Sequence, residues 1–236
     1  MARRFTARFA NSPEDLRATQ ALRGRVFRHG QADSDAFDPR SLHVLVEDRA
    51  EARLACTFRI QPFENGSEIS LSYAAQFYEL SALKAYEGRL VEMGRFCIDP
   101  SYNDPDILRA AWGAMTRYVD THNVKMLFGC SSFHGAEAEA HLEAFALLKA
   151  RHLAPRKYLP QIKAPRVFHF ARLMRKPNLR AAQRAMPPLL RTYLAMGGWT
   201  SDHAVVDRDL DTLHVFTGLE IGAIPAARKR LLRALA

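Results

Sequence analysis

The chain has 236 residues, of which 48% are hydrophobic and 25% are charged, and these values exclude disorder, collagen-like repeats and coiled coil. The 34 Lys and Arg against 25 Asp and Glu leave a formal charge of +9, which predicts an acidic partner: nucleic acid, an anionic membrane or an acidic carrier protein. Three widely spaced cysteines are typical of reduced thiols in the cytosol. The sequence has neither a secretory apolar region nor an apolar stretch of bilayer length, so we expect a cytoplasmic protein.

The first half of the chain predicts one helix followed mainly by strands. Ser12 is a good N-cap, Pro13 suits the first helical position and two acids follow, so a helix begins here and ends near Gly30. A polar, acidic loop is expected over 31–40. Apolar runs, some alternating, predict strands over 43–48, 54–60, 68–73 and 90–98, with a short helix around 78–86.

The second half predicts further helices and strands. A long amphipathic helix is expected over 104–123, a short apolar strand over 125–130 and a helix over 137–151. Three prolines predict a loop over 153–165. A short helix over 187–196, strands over 203–206 and 213–219, and a basic terminal helix over 226–235 complete the chain.

The order of these elements indicates one α/β domain over 1–236. A helix, hairpin-linked strands, a further strand, a long helix, a strand and a helix follow one another as in GCN5-related N-acyltransferases. We therefore predict a mixed sheet flanked by helices, with a core over about 1–175 and a C-terminal extension over about 176–236. Such a fold analogy does not establish chemistry.

The histidines do not predict a metal site or a cofactor. None of the nine occurs in a zinc-binding spacing, so structural or surface positions are expected. His43 and Asp48 match the spacing of the His/Asp pair of glycerolipid acyltransferases. Side chains five apart on a strand point to opposite faces, so the aspartate could not orient the histidine.

Glu92 and Arg95 lie in an otherwise apolar predicted strand and allow two interpretations. An unpaired buried charge is costly, so the carboxylate needs a partner or a wet cleft. Glu92 could form a structural ion pair within the sheet, with Arg59 as one candidate partner. Alternatively, it could accept a proton from an amine nucleophile.

The turn over 99–106 is a poor site for a diphosphate. Coenzyme-A-binding acyltransferases of this fold usually have a basic, Gly-rich turn here, whose amides hold the pyrophosphate at a helix N-terminus. This turn has no glycine and three aspartates. The expected donor is therefore a thioester of an acidic acyl carrier protein, whose phosphopantetheine has no adenylate diphosphate.

A run of basic residues could form the docking face for that carrier. The run comprises Lys149, Arg151, Arg156, Lys157, Lys163 and Arg166. A solvated basic surface is the alternative. The run lacks aromatic interleaving and the motifs of RNA or DNA readers, so no nucleic-acid partner is expected.

Several segments resemble known enzyme families. Leu22-Arg23, Val26-Phe27, 57–59 and 92–96 resemble acyl-homoserine-lactone synthases. Segments 94–102, 127–135, 151–155, 186–194 and 207–216 resemble more closely the bacterial L-ornithine N-alpha-acyltransferases of ornithine-lipid synthesis. That resemblance covers nearly the whole chain. It implies transfer of a 3-hydroxyacyl group from acyl carrier protein to the alpha-amine of ornithine, giving lyso-ornithine lipid that a partner O-acyltransferase completes.

The resemblance also implies residue roles. Glu92 resembles the carboxylate that receives the amine proton, and Arg95, at a basic position that shapes the site, is the second implied catalytic residue. Arg23 and Arg59 fall at further basic site positions, and Asp35 and Asp38 match an acidic loop that closes over the amino acid, although the stretch from 38 to 43 is shorter than in the family. The implied substrate-binding residues are Arg23, Phe27, Asp35, Asp38, Arg59, Cys130, Ser131, Ser132 and Phe133. With no activated nucleophile evident, we expect direct attack of the amine, with an oxyanion held by a backbone amide near 130–133.

Two alternatives remain open. The acceptor could be glutamine, although Asp33, Asp35 and Asp38 favour the ornithine ammonium. The chain could instead be a non-catalytic module that binds an anionic membrane through the helix over 226–235, whose basic side carries Arg228, Lys229, Arg230 and Arg233. Peripheral association with the inner membrane is compatible with both activity and binding.

Overall fold

The computed structural model describes residues 3–235. They form two compact units: unit 1 comprises residues 3–62, 93–124 and 226–235, and unit 2 comprises 63–92 and 125–225. The single acyltransferase domain predicted over 1–236 stays a prediction.

The described residues contain six α-helices and ten strands. The helices are α1 (Pro13–Phe27), α2 (Pro105–Thr121), α3 (Leu142–Arg151), α4 (Leu179–Ala185), α5 (Pro188–Ala195) and α6 (Ala226–Leu235). The strands are β1 (Phe5–Phe9), β2 (Leu42–Asp48), β3 (Arg53–Phe63), β4 (Tyr78–Glu79), β5 (Leu90–Ile98), β6 (Met126–His134), β7 (Gln161–Ile162), β8 (Val167–Phe168), β9 (Trp199–Asp207) and β10 (Thr212–Glu220).

Unit 1 packs helices against an antiparallel sheet. Strand β2 pairs with β1 on one side and with β3 on the other, and the second half of β5 lies beside β3. The predicted start of α1 is confirmed: Pro13 is its first residue, and the Ser12 hydroxyl accepts a hydrogen bond of 3.2 Å from the Asp15 amide. The apolar face of α2 is buried through Ile107, Ala111 and Met115, as its periodicity predicts.

Unit 2 contains the mixed sheet. The first three residues of β5 run parallel to Met126–Phe128 of β6, and β6, β10, β9 and β8 follow in antiparallel order. One face of this sheet packs against Phe145 of α3 and Leu190 of α5, whereas the other packs against Tyr78 and its neighbours. The predicted mixed sheet flanked by helices is confirmed.

Two predicted elements in unit 2 are wrong. Residues 68–73 do not form a strand, because Gly66–Leu71 is a 3-10 helix whose first turn is capped by the Asn65 side chain, which accepts from the Ser67 amide at 2.9 Å. Residues 78–86 form the short strand β4 and a single 3-10 turn over Ser81–Leu83 rather than a helix. In both segments polar side chains satisfy the backbone locally, which competes with regular structure.

Candidate active site

An acidic loop in unit 1 lies against three arginines from three different elements. The loop connects α1 to β2 and contributes Asp33, Asp35 and Asp38. Arg23 from α1 is 1% exposed and Arg59 from β3 is 4% exposed, so their charges need partners within the protein. Arg95 comes from β5. The loop supplies three carboxylates for three guanidinium groups.

These six side chains form a closed ring of alternating charge. Arg23 bridges Asp33 and Asp38, Arg59 bridges Asp38 and Asp35, and Arg95 bridges Asp35 and Asp33. The nitrogen–oxygen distances are 2.6 Å for Arg23–Asp33, 2.7 Å for Arg23–Asp38, 2.6 Å for Arg59–Asp38 and Arg59–Asp35, 3.3 Å for Arg95–Asp35 and 3.0 Å for Arg95–Asp33. The structure thus brings together five predicted site residues and adds Asp33.

The ring holds its aspartates ionised. Burial alone would raise the pKa of Asp38, but hydrogen bonds from Arg23 and Gln20 outweigh it and lower the pKa to about 2. Burial likewise opposes ionisation of Asp33 and Asp35, and their arginine partners lower both pKa values. Asp35 has the most accessible carboxylate of the three, with 23% of its side chain exposed.

Arg95 joins the ring through an unusual backbone conformation. Its φ of +53° lies in the left-handed region, which costs a non-glycine residue about 1–2 kcal/mol. Such a residue interrupts the alternation of a strand and redirects its side chain, as in a β-bulge. The bridges to Asp33 and Asp35 offset this cost.

Glu92 lies three residues before Arg95 on β5 and belongs to unit 2. Its side chain is buried, and both carboxylate oxygens accept hydrogen bonds of 2.7 Å, from the amides of Tyr73 and Ala74. Those amides begin a 3-10 helix over Ala74–Gln76. Glu92 thereby anchors this turn, and a carboxylate has further lone pairs that can accept a proton or a water hydrogen.

The predicted segment from Cys130 to Phe133 divides between the two faces of unit 2's sheet. Cys130 pairs with Phe216 and Ser132 with His214, so these side chains share the face of the apolar cluster around Phe128. Cys130 is half-buried and Ser132 is exposed. Glu92 pairs with Phe128 and therefore also belongs to this face.

Ser131 and Phe133 point to the opposite face. The Ser131 hydroxyl accepts a hydrogen bond of 2.9 Å from Thr217, and Phe133 packs on Phe145 of α3. The structure therefore brings Cys130 and Ser132, but not Ser131 and Phe133, to the face that carries Glu92. Phe27 is half-buried at the last residue of α1.

The other candidate motifs have separate partners. His43 lies near Asp38, whose carbonyl is 3.2 Å from Nε2, whereas Asp48 pairs with Arg4 at 2.6 Å, so the two do not form a catalytic pair. His203 and His214 are buried in unit 2, and burial lowers the pKa of His214 to about 3. Residues 3–235 contain no group of three side chains that could hold a metal ion.

The turn before α2 is occupied by its own aspartates. Asp104 caps α2 by accepting a hydrogen bond of 2.9 Å from the Asp106 amide, and Asp99 accepts from the Ser101 amide and hydroxyl. An anion would have to displace the Asp104 carboxylate from the helix N-terminus.

The chain is similar over nearly its full length to curated enzymes. It is 31% identical to the L-ornithine N(alpha)-acyltransferase of Rhodobacter capsulatus, over 93% of this chain and 91% of that protein. It is 32% identical to the L-ornithine N(alpha)-acyltransferase of Brucella abortus, over 92% and 84%. The chain belongs to the L-ornithine N(alpha)-acyltransferase family.

Two further comparisons support the acyltransferase fold. Residues 18–113 match the Acetyltransferase (GNAT) domain. The solved structure of FeeM, an N-acyl amino acid synthase from uncultured soil microbes, superposes with a TM-score of 0.53 over 93% of this chain and 92% of that chain, at 11% identity. This member of the family is therefore an acyltransferase with a GNAT-type fold.

The predicted carrier-docking residues differ in their surroundings. Arg151, Arg156 and Lys157 are exposed, whereas the Lys149 ammonium donates a hydrogen bond of 2.5 Å to the Leu173 carbonyl. Lys163 donates to the Ala75 carbonyl at 2.6 Å and so touches the turn that Glu92 anchors. Tyr158, beside Lys157, packs with the cluster on the same face as Glu92.

Helix α6 uses most of its apolar side within unit 1. Leu232 and Leu235 are half-buried and Arg233 pairs with Asp120 of α2 at 2.9 Å, which leaves Leu231, 61% exposed, as its outward leucine. No helix in residues 3–235 is long and apolar enough to cross a bilayer.

The sequence named Asp33 only as one of three acids that suit the ornithine ammonium, and the structure adds its contacts with Arg23 and Arg95 of the ring. Two backbone donors were not predicted. The amides of Tyr73 and Ala74 could not be found from residue types, because any residue except proline supplies such a donor.

Proposed function

We propose that the chain transfers a 3-hydroxyacyl group from acyl carrier protein to the alpha-amine of L-ornithine, forming lyso-ornithine lipid. The observation that carries this proposal is the similarity to two L-ornithine N(alpha)-acyltransferases, at 31% and 32% identity over more than nine-tenths of the chain. A downstream O-acyltransferase would complete the lipid.

Direct attack by the amine agrees with the burial of Cys56 and Cys97. Burial raises the pKa of Cys97 to about 12 and raises that of Cys56 well above its usual value, so neither supplies a thiolate for an acyl-enzyme. The amine nitrogen forms a bond to the thioester carbon while the carbon–sulfur bond breaks. The amine proton passes to Glu92, directly or through water, and then to the departing thiolate.

The accessible carboxylate of Asp35 favours a cationic acceptor. The Asp35 carboxylate is shared by Arg59 and Arg95, yet 23% of its side chain is exposed. A carboxylate offers only hydrogen-bond acceptors. It therefore suits the ammonium of ornithine better than the amide of glutamine, whose carbonyl needs a donor. Ornithine is therefore the proposed acceptor.

Two features support a carrier thioester as the donor. Asp104 fills the helix N-terminus at which a coenzyme A diphosphate would be held. The exposed Arg156 and Lys157 lie next to Tyr158, which packs on the face of unit 2 that carries Glu92. We propose them, with Arg151, as the carrier-docking residues, and Lys149 as a residue that orients the end of α3.

The test offers the purified chain a matrix of donors and acceptors. The donors are carrier protein with a 3-hydroxyacyl chain, carrier protein with an acyl chain that lacks the 3-hydroxyl group, and 3-hydroxyacyl coenzyme A. The acceptors are ornithine, glutamine, lysine and glycine. Free thiol and acylated amino acid are measured. We expect turnover with the hydroxyacyl carrier and ornithine; thiol release with coenzyme A alone, or glutamine as the better acceptor, would contradict the proposal.

A second experiment tests the docking residues. The double variant Arg156→Glu, Lys157→Glu should raise KM for the carrier thioester at least about tenfold at low salt, because like charges oppose association, and leave KM for ornithine unchanged. Arg228→Glu, Arg230→Glu on α6 is the matched control with the same change in charge. If the control raised KM for the carrier equally, the effect would come from net charge alone, and Arg156 and Lys157 would not form a specific docking site.

We also propose that the enzyme acts in the cytoplasm in peripheral contact with the inner membrane, where its lipid product must go. Membership of an acyltransferase family already argues against a purely non-catalytic binding module, and turnover in the first experiment tests the activity directly.

A further inference from the structure

The excess of positive charge over negative charge lies in one segment of unit 2. Residues 144–201 contain twelve Lys and Arg and no Asp or Glu. The rest of the chain contains 22 basic and 25 acidic residues and is slightly acidic. The excess of basic residues is therefore a local property, which points to a particular surface rather than to general solubility.

The second half of this segment combines exposed cations with exposed apolar side chains. We name it the α4 surface and define it by Arg172, Met174, Lys176, Leu179, Arg180 and Arg184. The four basic side chains are exposed, and the described contacts include no acidic partner for them. Met174 is 98% exposed and Leu179 is 44% exposed.

Some other exposed arginines do have acidic partners. Arg175 pairs with Glu143 of α3, and Arg233 pairs with Asp120. The α4 surface combines cations that have no acidic partner among the described contacts with a methionine that is 98% exposed, against 61% for Leu231 of α6.

The α4 surface lies on the side of unit 2's sheet away from the Glu92 face. Helix α4 contributes Ala182 to the cluster that contains Phe133 and Phe145, whereas Phe128 and Phe216 belong to the cluster on the other face. The proposed docking residues Arg156 and Lys157 lie next to Tyr158, which packs in the cluster on the Glu92 face. A carrier that binds there leaves the α4 surface open to a different anionic partner.

We propose that the α4 surface binds an anionic lipid bilayer, with Met174 and Leu179 entering the headgroup region. Cations that surround apolar side chains are typical of surfaces that lie on membranes. Each Lys or Arg near an anionic leaflet strengthens binding about fivefold. This inference deepens the proposed peripheral location and assigns it to α4 rather than to α6.

The test compares binding to vesicles of phosphatidylcholine with phosphatidylglycerol and to vesicles of phosphatidylcholine alone. Lys176→Glu, Arg180→Glu should weaken binding to the phosphatidylglycerol vesicles at least about 25-fold. Arg228→Glu, Arg230→Glu on α6 should leave it within about twofold, because those cations lie outside the α4 surface. Met174→Ser, which changes no charge and removes a fully exposed side chain, should weaken binding about threefold or more.

Several outcomes would overturn the proposal. The first is equal binding of the unmodified chain to both vesicle types. The second is a loss of vesicle binding in the α6 variant as large as that in the α4 variant. The third is an α4 variant with a raised KM for the carrier and unchanged vesicle binding. Acylation of ornithine is measured separately with all substrates in solution. Its failure in the unmodified chain would remove the proposed function and leave the vesicle result to decide the α4 surface.

Discussion

At the scale of single residues, the charged ring shows how six ionised side chains can share a mainly buried position. Within the ring each arginine contacts two aspartates and each aspartate contacts two arginines, and Asp33 has a third arginine, Arg28, at 3.3 Å. The ring is neutral as a whole. Desolvation of any one member is tolerated only while its two partners remain.

Removing one carboxylate of the ring should therefore be costly. We expect Asp38→Asn to lower the free energy of unfolding by about 3 kcal/mol, because Arg23 and Arg59 each lose a charged partner. Asp106→Asn is the control, since its exposed pair with Arg109 contributes less than about 0.5 kcal/mol. Urea midpoints of the two variants give the comparison, and equal midpoints would contradict a stabilising ring.

Glu92 is expected to serve both the turn and the reaction. Glu92→Gln retains the shape of the side chain but cannot take the amine proton, so kcat should fall at least about 10²-fold. Glu68→Gln is the control, because the Glu68 carboxylate also accepts a backbone amide, that of Glu64, at 2.8 Å. Steady-state rates with ornithine decide the matter: near-normal turnover in Glu92→Gln would leave the residue a purely structural role.

At the scale of elements, the alternation of β6 separates residues that are neighbours in sequence. Cys130 and Ser132 share the Glu92 face, whereas Ser131 and Phe133 face α3. The motif over 130–133 therefore contains residues on the candidate active-site face and residues that pack against α3. The pairing of β6 with β10 shows which residue lies on which face.

Bulk on the Glu92 face of β6 should obstruct the acyl donor. We expect Ser132→Trp to lower kcat/KM for the thioester more than about tenfold. Ser132 is exposed, so a tryptophan side chain at this position would occupy the space through which the acyl donor approaches. Thr217→Val, which removes the hydrogen bond to Ser131 on the other face, should cost about 1 kcal/mol of stability and leave kcat/KM unchanged. Kinetics and unfolding measured on both variants test the assignment; similar kcat/KM values would refute it.

At the scale of the whole molecule, the ring makes stability depend on pH at the acidic end. The pKa of Asp38 is lowered from 3.8 to about 2, so its contribution is complete above about pH 4 and is lost as the pH falls towards 2. The lowered pKa values of Asp33 and Asp35 act in the same direction. We expect the free energy of unfolding to fall by at least about 2 kcal/mol over this interval.

Urea unfolding at a series of pH values tests this expectation, and Asp38→Asn provides the control. The variant lacks the titrating group, so its stability should change less between pH 4 and 2 than that of the unmodified chain. Identical pH profiles would contradict the assignment of this dependence to Asp38.

The sequence by itself determined the elements whose signals are local. The start of α1 depends on Ser12, Pro13 and Asp15, and the apolar face of α2 depends on positions three and four residues apart. The family, the acidic loop and most ring members were likewise recognisable from residue types. Where polar side chains near Asn65 satisfied the backbone locally, the same kind of pattern predicted a strand that does not exist.

Only the tertiary structure decided the partners. Arg95 meets Asp33 across 62 positions, and Glu92 meets the Tyr73 and Ala74 amides across 19 and 18. Periodicity describes which face of an element is buried, but it carries no information about which distant group lies opposite. Burial is the physical reason for these contacts: a charge removed from water must find an opposite charge or a hydrogen-bond partner, and only the folded chain determines which one is within reach.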